Sequence, residues 1–421
     1  MEHANWTAWS AWAAAFCFGY PFVMALYWML GGLLFRLLRE RHEPLPDDPP
    51  PLNAPPPVSI LLPCHNESAG IDETLAALSR LRYPDFEVIA IDDGSTDDTA
   101  ARLEAAQATH PWLRLVRLRS NQGKSTALNA GALAARHEIL VCIDGDALLD
   151  PHAVTWFVRR FQMDGGLGAL TGNPRIRNRG TILGRLQVGE FSTIIGLIKR
   201  AQTVYGSLFT VSGVVCAFRK RALHDAGWWN PHTLTDDVDV SWRLQLAGWR
   251  IAFEPKARAW ILMPETLRGL WRQRLRWSEG GTQAIIEHFP ALLTWRRARL
   301  WPIWLNYVLG LAWALTIAIL SALWLLPSAG LWADLPLPAL SLLPQWWGTV
   351  LACTYLVQAA VSMALDDRFE EGLPRMLFWV IWYPLLFWAL QTATAVVALP
   401  RVLARDRQVR GTWTSPDRGF R

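Results

Sequence analysis

Residues 11–35, from Ala11 to Phe35, carry no charge at all. A run of that length is enough to cross a bilayer core of ~30 Å. It has no basic residues before it and no small-residue cleavage site after it, so it reads as an uncleaved anchor rather than a signal peptide. Arg36, Arg39 and Arg41 follow it, while residues 1–10 hold no Lys or Arg. The positive-inside bias then predicts an external N-terminus and a cytoplasmic continuation. After residue 290 the chain turns apolar again, over 302–326, 346–365 and 373–399. The tail 400–421 carries six arginines. Three crossings would leave that tail outside, whereas its arginines argue for inside. One late segment is therefore expected to be re-entrant or interfacial, with Pro384 as a candidate break. Trp numbers 25, against 16 Phe and 7 Tyr, which suits a membrane interface and argues against a wholly soluble protein.

Between these apolar regions the composition changes. Residues 44–57 hold eight prolines, a stiff extended spacer. The division expected is an anchor at 1–43, a linker at 44–57, a soluble block at 58–290, an apolar region at 291–399 and an Arg-rich tail at 400–421. The block opens with Val58–Pro63, a short apolar strand, and a helix is expected over 71–82. Strands follow at Glu87–Asp92, Leu113–Leu118 and Glu138–Ile143, separated by helices over 97–109 and 124–136. This alternation predicts parallel βαβ units and an α/β, Rossmann-like sheet. Such sheets bind ligands at the carboxyl ends of their strands. The five cysteines are odd in number and form no CxxC, which argues against a disulfide framework and a zinc ribbon and predicts buried thiols.

Acidic residues gather at those strand ends. Asp92-Asp93-Gly94 closes the second strand and Asp144-Gly145-Asp146 follows the fourth. Alone, Asp-x-Asp is a common polar turn. Behind a second acidic strand end, two carboxylates can converge on one Mg²⁺ or Mn²⁺, which would neutralise a diphosphate. Lys124 opens a helix, where it can meet phosphate, although the spacing is no P-loop. Asp236 and Asp237 stand at another helix start. Capping explains them, and so does a general base taking a proton from a hydroxyl. Gln273, Arg276 and Trp277 fit an interfacial helix, or a wall offering a cation to phosphate and a ring to a sugar.

In this order, Pro63-Cys-His-Asn-Glu67, Asp92-Asp-Gly94, Lys124, Asp144-Gly-Asp146, Thr235-Asp-Asp237 and Gln273-Arg-Leu-Arg-Trp277 resemble the processive family-2 glycosyltransferases, the group of cellulose, chitin and hyaluronan synthases. Longer stretches, among them Thr171–Arg177, Phe191–Arg200, Trp260–Leu267 and Ser415–Gly419, resemble the branch that makes biofilm poly-β-1,6-N-acetylglucosamine. The resemblance departs where the usual Thr-Glu-Asp reads Thr-Asp-Asp, and in showing one clear hydrophobic run before the block where some members have two.

The resemblance implies a GT-A domain embedded between transmembrane helices of the bacterial inner membrane. It gives Glu67 and Asp93 to the uridine, Lys124 to the diphosphate, and Asp144 with Asp146 to the nucleotide and a divalent cation. Asp237 becomes the base, with Asp236 beside it, and Gln273, Arg276 and Trp277 the acceptor and diphosphate wall. Trp413 and Thr414 resemble a gating loop. UDP-N-acetylglucosamine, a growing polysaccharide and a small membrane subunit under cyclic di-GMP control are the implied partners. No nucleic-acid module is expected. A β-1,4 synthase, a single-sugar polyprenyl-phosphate transferase and an idle membrane scaffold are the alternatives. The acceptor motif argues against the second, and the complete carboxylate set against the last.

Overall fold

The computed structural model describes residues 2–328, 346–381, 383–406 and 410. The expected strands form close to their anticipated limits, as β1 (Val58–Cys64), β2 (Phe86–Asp93), β3 (Leu113–Leu118) and β4 (Ile139–Ile143). All four pair in parallel, with Leu61 facing both Ile89 and Cys142. Every residue of β1 is buried, as a strand covered on both faces requires. Its alternation splits the core in two. Ile60 and Leu62 pack with Trp156 and Phe157 on one face, and Leu61 packs with Ile89, Phe218 and Trp229 on the other.

The intervening helices are shorter than their sequence patterns: α2 (Ile71–Leu78), α3 (Thr99–Gln107) and α4 (Lys124–Ala134). Beyond β4 the parallel reading gives way to a mixed sheet. The later strands are β5 (Leu148–Leu149), β6 (Leu167–Ile176), β7 (Val215–Arg219) and β8 (Arg250–Ile261). The order is β3-β2-β1-β4-β7-β6-β8-β5. β7 inserts antiparallel between β4 and β6, which brings the turn before it beside the acidic end of β4. Helices α5 (Ala153–Met163), α6 (Ile182–Glu190), α7 (Lys199–Val204), α8 (Lys220–Asp225), α9 (Asp236–Leu246) and α10 (Leu267–Leu292) complete the block. A π-helical stretch, Phe191–Ile198, joins α6 to α7.

The apolar runs fold as α1 (Glu2–Phe35), α11 (Trp301–Ser328), α12 (Trp346–Asp366), α13 (Leu377–Val380) and α14 (Tyr383–Ala404). Among the described residues four helical stretches are long and apolar enough to cross a membrane: Ala11–Glu40, Trp295–Leu323, Trp346–Phe369 and Leu386–Ala404. The run 373–399 is not one rod. It breaks into a 3₁₀ turn, the short α13 and then α14, with Pro384 in the first turn of α14, where its missing N–H costs nothing. Both flanks of this run touch the α/β block. The Arg185 guanidinium lies 4.7 Å over the Trp379 ring, and Arg401 pairs with Glu279 at 3.3 Å. Arg410 donates to Gln122 Oε1 at 3.1 Å. The start of the tail thus touches the block through Arg401 and Arg410.

Two expectations need correction. The proline segment is no free spacer. Its carbonyls at Pro46 and Pro56 accept hydrogen bonds from the Trp156 indole (2.7 Å) and the Tyr83 hydroxyl (2.5 Å), strapping it to the block. Four cysteines are buried, but Cys353, on α12, is exposed among the described residues.

Candidate active site

The parallel strands end together, so residues distant in sequence meet at one edge of the sheet. Asp93, at the end of β2, accepts from the Gln122 and Gly123 backbone N–H groups at 2.8 Å each. These are the groups that precede α4, so Asp93 fixes the position of Lys124. Glu67, beyond β1, lies behind the Asp144–Asp146 turn. A Cβ on Gly145 would stand 2.9 Å from Glu67 Cγ, so only glycine allows this approach. Lys124 Nζ donates to Asp144 Oδ1 at 2.5 Å and to the Gly213 carbonyl at 3.2 Å. Burial alone would lower the Lys124 pKa, but the Asp144 and Asp236 carboxylates outweigh it and hold the ammonium charged.

Asp236 and Asp237 occupy the first turn of α9. Asp237 Oδ1 accepts from the Val238 N–H at 2.9 Å and Oδ2 from the Gly213 N–H at 3.3 Å. The single residue Gly213 therefore bridges the Lys124–Asp144 pair to Asp237. Burial, then the charge of Asp236, raises the Asp237 carboxyl to about 6. A carboxylate with such a value is mostly ionised at neutral pH yet more basic than an ordinary Asp, a setting suited to accepting a proton. Burial, then Asp144, raises Asp146 to about 7.

Four carboxylates (Asp144, Asp146, Asp236, Asp237) thus face the Lys124 and Lys199 ammonium groups. The excess of negative charge is what a divalent cation would relieve. No group of three or more His, Cys, Asp or Glu side chains converges on one point among the described residues. Asp144 and Asp146 would therefore be a partial ligand set, completed by diphosphate oxygens and water, as Mg²⁺ commonly is.

The motif Gln273-Arg-Leu-Arg276-Trp277 stands to one side, on α10. Gln273 reaches Met263 Sδ at 3.9 Å, Arg276 is exposed and Trp277 is 38 % exposed. It is Arg274, not Arg276, that lies over the Trp277 ring at 4.2 Å and pairs with buried Glu190 at 2.8 Å. One turn further on, Gly280 packs directly on the Thr235 side chain, leaving no room for a Cβ. Leu234 N–H donates to Gln283 Oε1 at 3.0 Å, so α10 roofs the loop that carries Asp236 and Asp237. Trp413 and Thr414 lie outside the described residues.

Three contributors escape the motif reading: Gly213, Thr171 and Lys199. Thr171 and Lys199 do lie inside the longer resembling stretches Thr171–Arg177 and Phe191–Arg200, without a role assigned there, and composition adds a further signal. Only four lysines occur in this arginine-rich chain, and two of them, Lys124 and Lys199, stand at this site.

Residues 55–280 match the family described as glycosyltransferase like family 2. The chain belongs to glycosyltransferase family 2. This glycosyltransferase is 36 % identical over 402 residues to the poly-β-1,6-N-acetyl-D-glucosamine synthase of Staphylococcus aureus strain COL, covering 95 % of this chain and 97 % of the relative. It is 34 % identical over 412 residues to the synthase of the same name from Staphylococcus epidermidis, with the same coverage of each. Among solved structures it resembles a mannosyltransferase from Pyrobaculum calidifontis in complex with GDP-Man and Mn²⁺. There the TM-score is 0.65 at 21 % identity, over 94 % of this chain and 98 % of the other, a likeness of fold. The mixed sheet with its helices is accordingly a GT-A-like glycosyltransferase domain.

Proposed function

We propose that this glycosyltransferase transfers N-acetylglucosamine from UDP-N-acetylglucosamine to a growing poly-β-1,6-N-acetylglucosamine chain, with inversion, and extrudes the product across the inner membrane. The observation that carries the reading is the match to synthases of that name over 95 % of this chain, apolar helices included. The catalytic block would face the cytoplasm.

In this reading Glu67 and Asp93 hold the uridine and Lys124 meets the diphosphate. Asp144 and Asp146 would hold Mg²⁺ or Mn²⁺, which when bound supplies positive charge against the departing diphosphate. Asp237 takes the proton from the O6 hydroxyl of the acceptor sugar. That oxygen attacks C1 of the donor from the face opposite UDP, the C1–O bond to UDP breaks, and the α-linked donor becomes a β-linkage. Asp236 adds negative charge beside the base and raises its affinity for the proton. Lys124 stabilises charge on the leaving diphosphate, a term expected to be large because the site is buried and fixed in advance. Gln273, Arg276 and Trp277 form the acceptor side, with the exposed Trp277 ring free to stack on a sugar. Trp413 and Thr414 would close over the nucleotide. A small membrane subunit acting under cyclic di-GMP control would regulate synthesis.

The test uses membranes carrying the full chain, with and without the candidate subunit, supplied with labelled UDP-N-acetylglucosamine and Mg²⁺. Polymer degraded by a β-1,6-specific hexosaminidase, resistant to chitinase and absent with Asp237→Asn supports the reading. Polymer degraded only by chitinase replaces the linkage by β-1,4. Labelled lipid without polymer replaces processive synthesis by single transfer.

A further inference from the structure

Lys199 is a buried cation at the site to which the reaction above gives no part. It stands at the start of α7 and is 6 % exposed. Its ammonium donates to Thr171 Oγ1 at 3.0 Å. The same oxygen accepts the Ser212 N–H at 2.8 Å. The next N–H along the chain, that of Gly213, reaches Asp237 Oδ2, and the Gly213 carbonyl receives Lys124. One turn is therefore gripped from behind by Lys199 through Thr171 and presented in front to the base and to the diphosphate lysine.

An ammonium removed from water needs compensation, and a single hydroxyl supplies little. The charged or titratable groups that face Lys199 are Asp237 from α9 and the Cys216 thiol from β7. Those that face Asp237 are Asp236 on its own helix, Lys124 from α4 and Lys199 from α7, with Cys216 and its cross-strand neighbour Cys142 beneath. Arg200, the next residue, is committed elsewhere, to Glu40 and Asp366. Burial pulls the Lys199 ammonium down to about 8, so it is charged at neutral pH.

We propose that Lys199 is a positioning residue for the base: it fixes the Ser212–Gly213 turn through Thr171, and with it the Gly213 N–H that Asp237 accepts, and it places a buried ammonium on the Asp237 side of the site. This rests on the reading of Asp237 as the general base. Thr171 and Ser212–Gly213 are the mechanical half of the device and the ammonium is the electrostatic half, so the two separate by substitution.

The experiment is the pH dependence of polymer synthesis by the full chain in membranes. With Asp237 as base, the wild-type rate rises with pH through about 6. Removing a nearby cation favours the protonated carboxyl, so Lys199→Met is expected to move that acid limb upward by about one pH unit. Its deficit is then several-fold larger at pH 6 than at pH 8, where a purely structural defect would lower the rate equally at both. Lys199→Arg keeps the charge and is expected to keep the limb in place. Thr171→Val is expected to reduce kcat about tenfold or more at unchanged donor KM, with the limb unmoved. An unmoved limb in Lys199→Met, or wild-type kcat in Thr171→Val, overturns the proposal. If Lys199→Met does not accumulate, Thr171→Val and Lys199→Gln carry the test on the same criteria. If Asp237→Asn retains activity, it is the base assignment that fails. If Asp237→Asn is inactive and the limb of Lys199→Met is unmoved, only the role of Lys199 fails.

Discussion

Two of the clusters of buried charge among the described residues are built on opposite rules. One joins the apolar helices to the α/β block. There Arg200, fully buried, pairs with Glu40, in the π-helical turn Arg36–Glu40 that follows α1 (3.0 Å), and with Asp366 at the end of α12 (2.5 Å). Arg175 from β6 adds a second contact to Asp366 at 3.0 Å, and Arg179 pairs with Glu370. Cations and anions alternate, so each charge removed from water faces its opposite. The other cluster, at the sheet edge, crowds like charges. Asp236 stands beside Asp237 and Asp144 beside Asp146, and both Asp237 and Asp146 are pushed up in pKa. Balanced burial holds pieces of a fold in place. Unbalanced burial is tolerated where a substrate, a cation or a proton will complete it.

The sharpest way to break this comparison is Asp237→Asn. The side chain keeps its size and loses its basicity, so polymer synthesis is expected to fall by roughly 10²–10⁴-fold with the protein still folded. A parallel loss of folded protein would place Asp237 with the structural cluster instead. Next in size is Arg200→Met. It leaves Glu40 and Asp366 buried without their shared partner, a loss of about 3–5 kcal/mol. Thermal unfolding of the detergent-solubilised protein is expected to shift down sharply, whereas donor affinity of the surviving folded fraction stays near wild type.

The third test is pH. The Asp237 pKa lies above that of an unfolded Asp, so its ionised form is disfavoured in the folded state. This group therefore stabilises the fold below its unfolded value, near 4, and that contribution is lost as pH rises through about 6. Activity runs the other way, rising through about 6 because the base must be ionised. Initial rates and unfolding midpoints measured from pH 5 to 8 should cross, and Asp237→Asn should flatten the stability change. The smallest effect is at the strap. Trp156→Phe removes the indole donor to Pro46 and is expected to cost about 1–2 kcal/mol, read as a modest drop in midpoint with synthesis retained.

Legibility in the sequence followed the range of the forces involved. Strands β1 to β4 were readable because each is a short apolar run bounded by polar turns, and their limits moved by a residue or two. The acidic strand ends were readable as well, since Asp93, Asp144 and Asp237 each sit at the start or end of an element. β6 and β8 were not: Leu167–Ile176 and Arg250–Ile261 mix apolar and charged residues, and their partners come from far along the chain. The antiparallel insertion of β7 has no local signature at all. It nevertheless sets Gly213 between Lys124 and Asp237. The role of Arg274 was hidden for a similar reason. Helical spacing cannot say which of two arginines, 274 or 276, will find Glu190.

By itself the sequence determined that uncharged runs must leave water, that the middle block must alternate strand and helix, and that carboxylates would stand at the strand ends. Hydrophobicity and periodicity are properties of neighbours in the chain, so a linear reading reaches them. Only the tertiary structure decided that Lys199 and Thr171 grip the turn beneath the base, that Gly280 roofs Thr235, and that Arg200 clasps two apolar helices at once. Those contacts join residues dozens to hundreds of positions apart, and the energy of a buried charge depends on what folding places within a few ångströms of it.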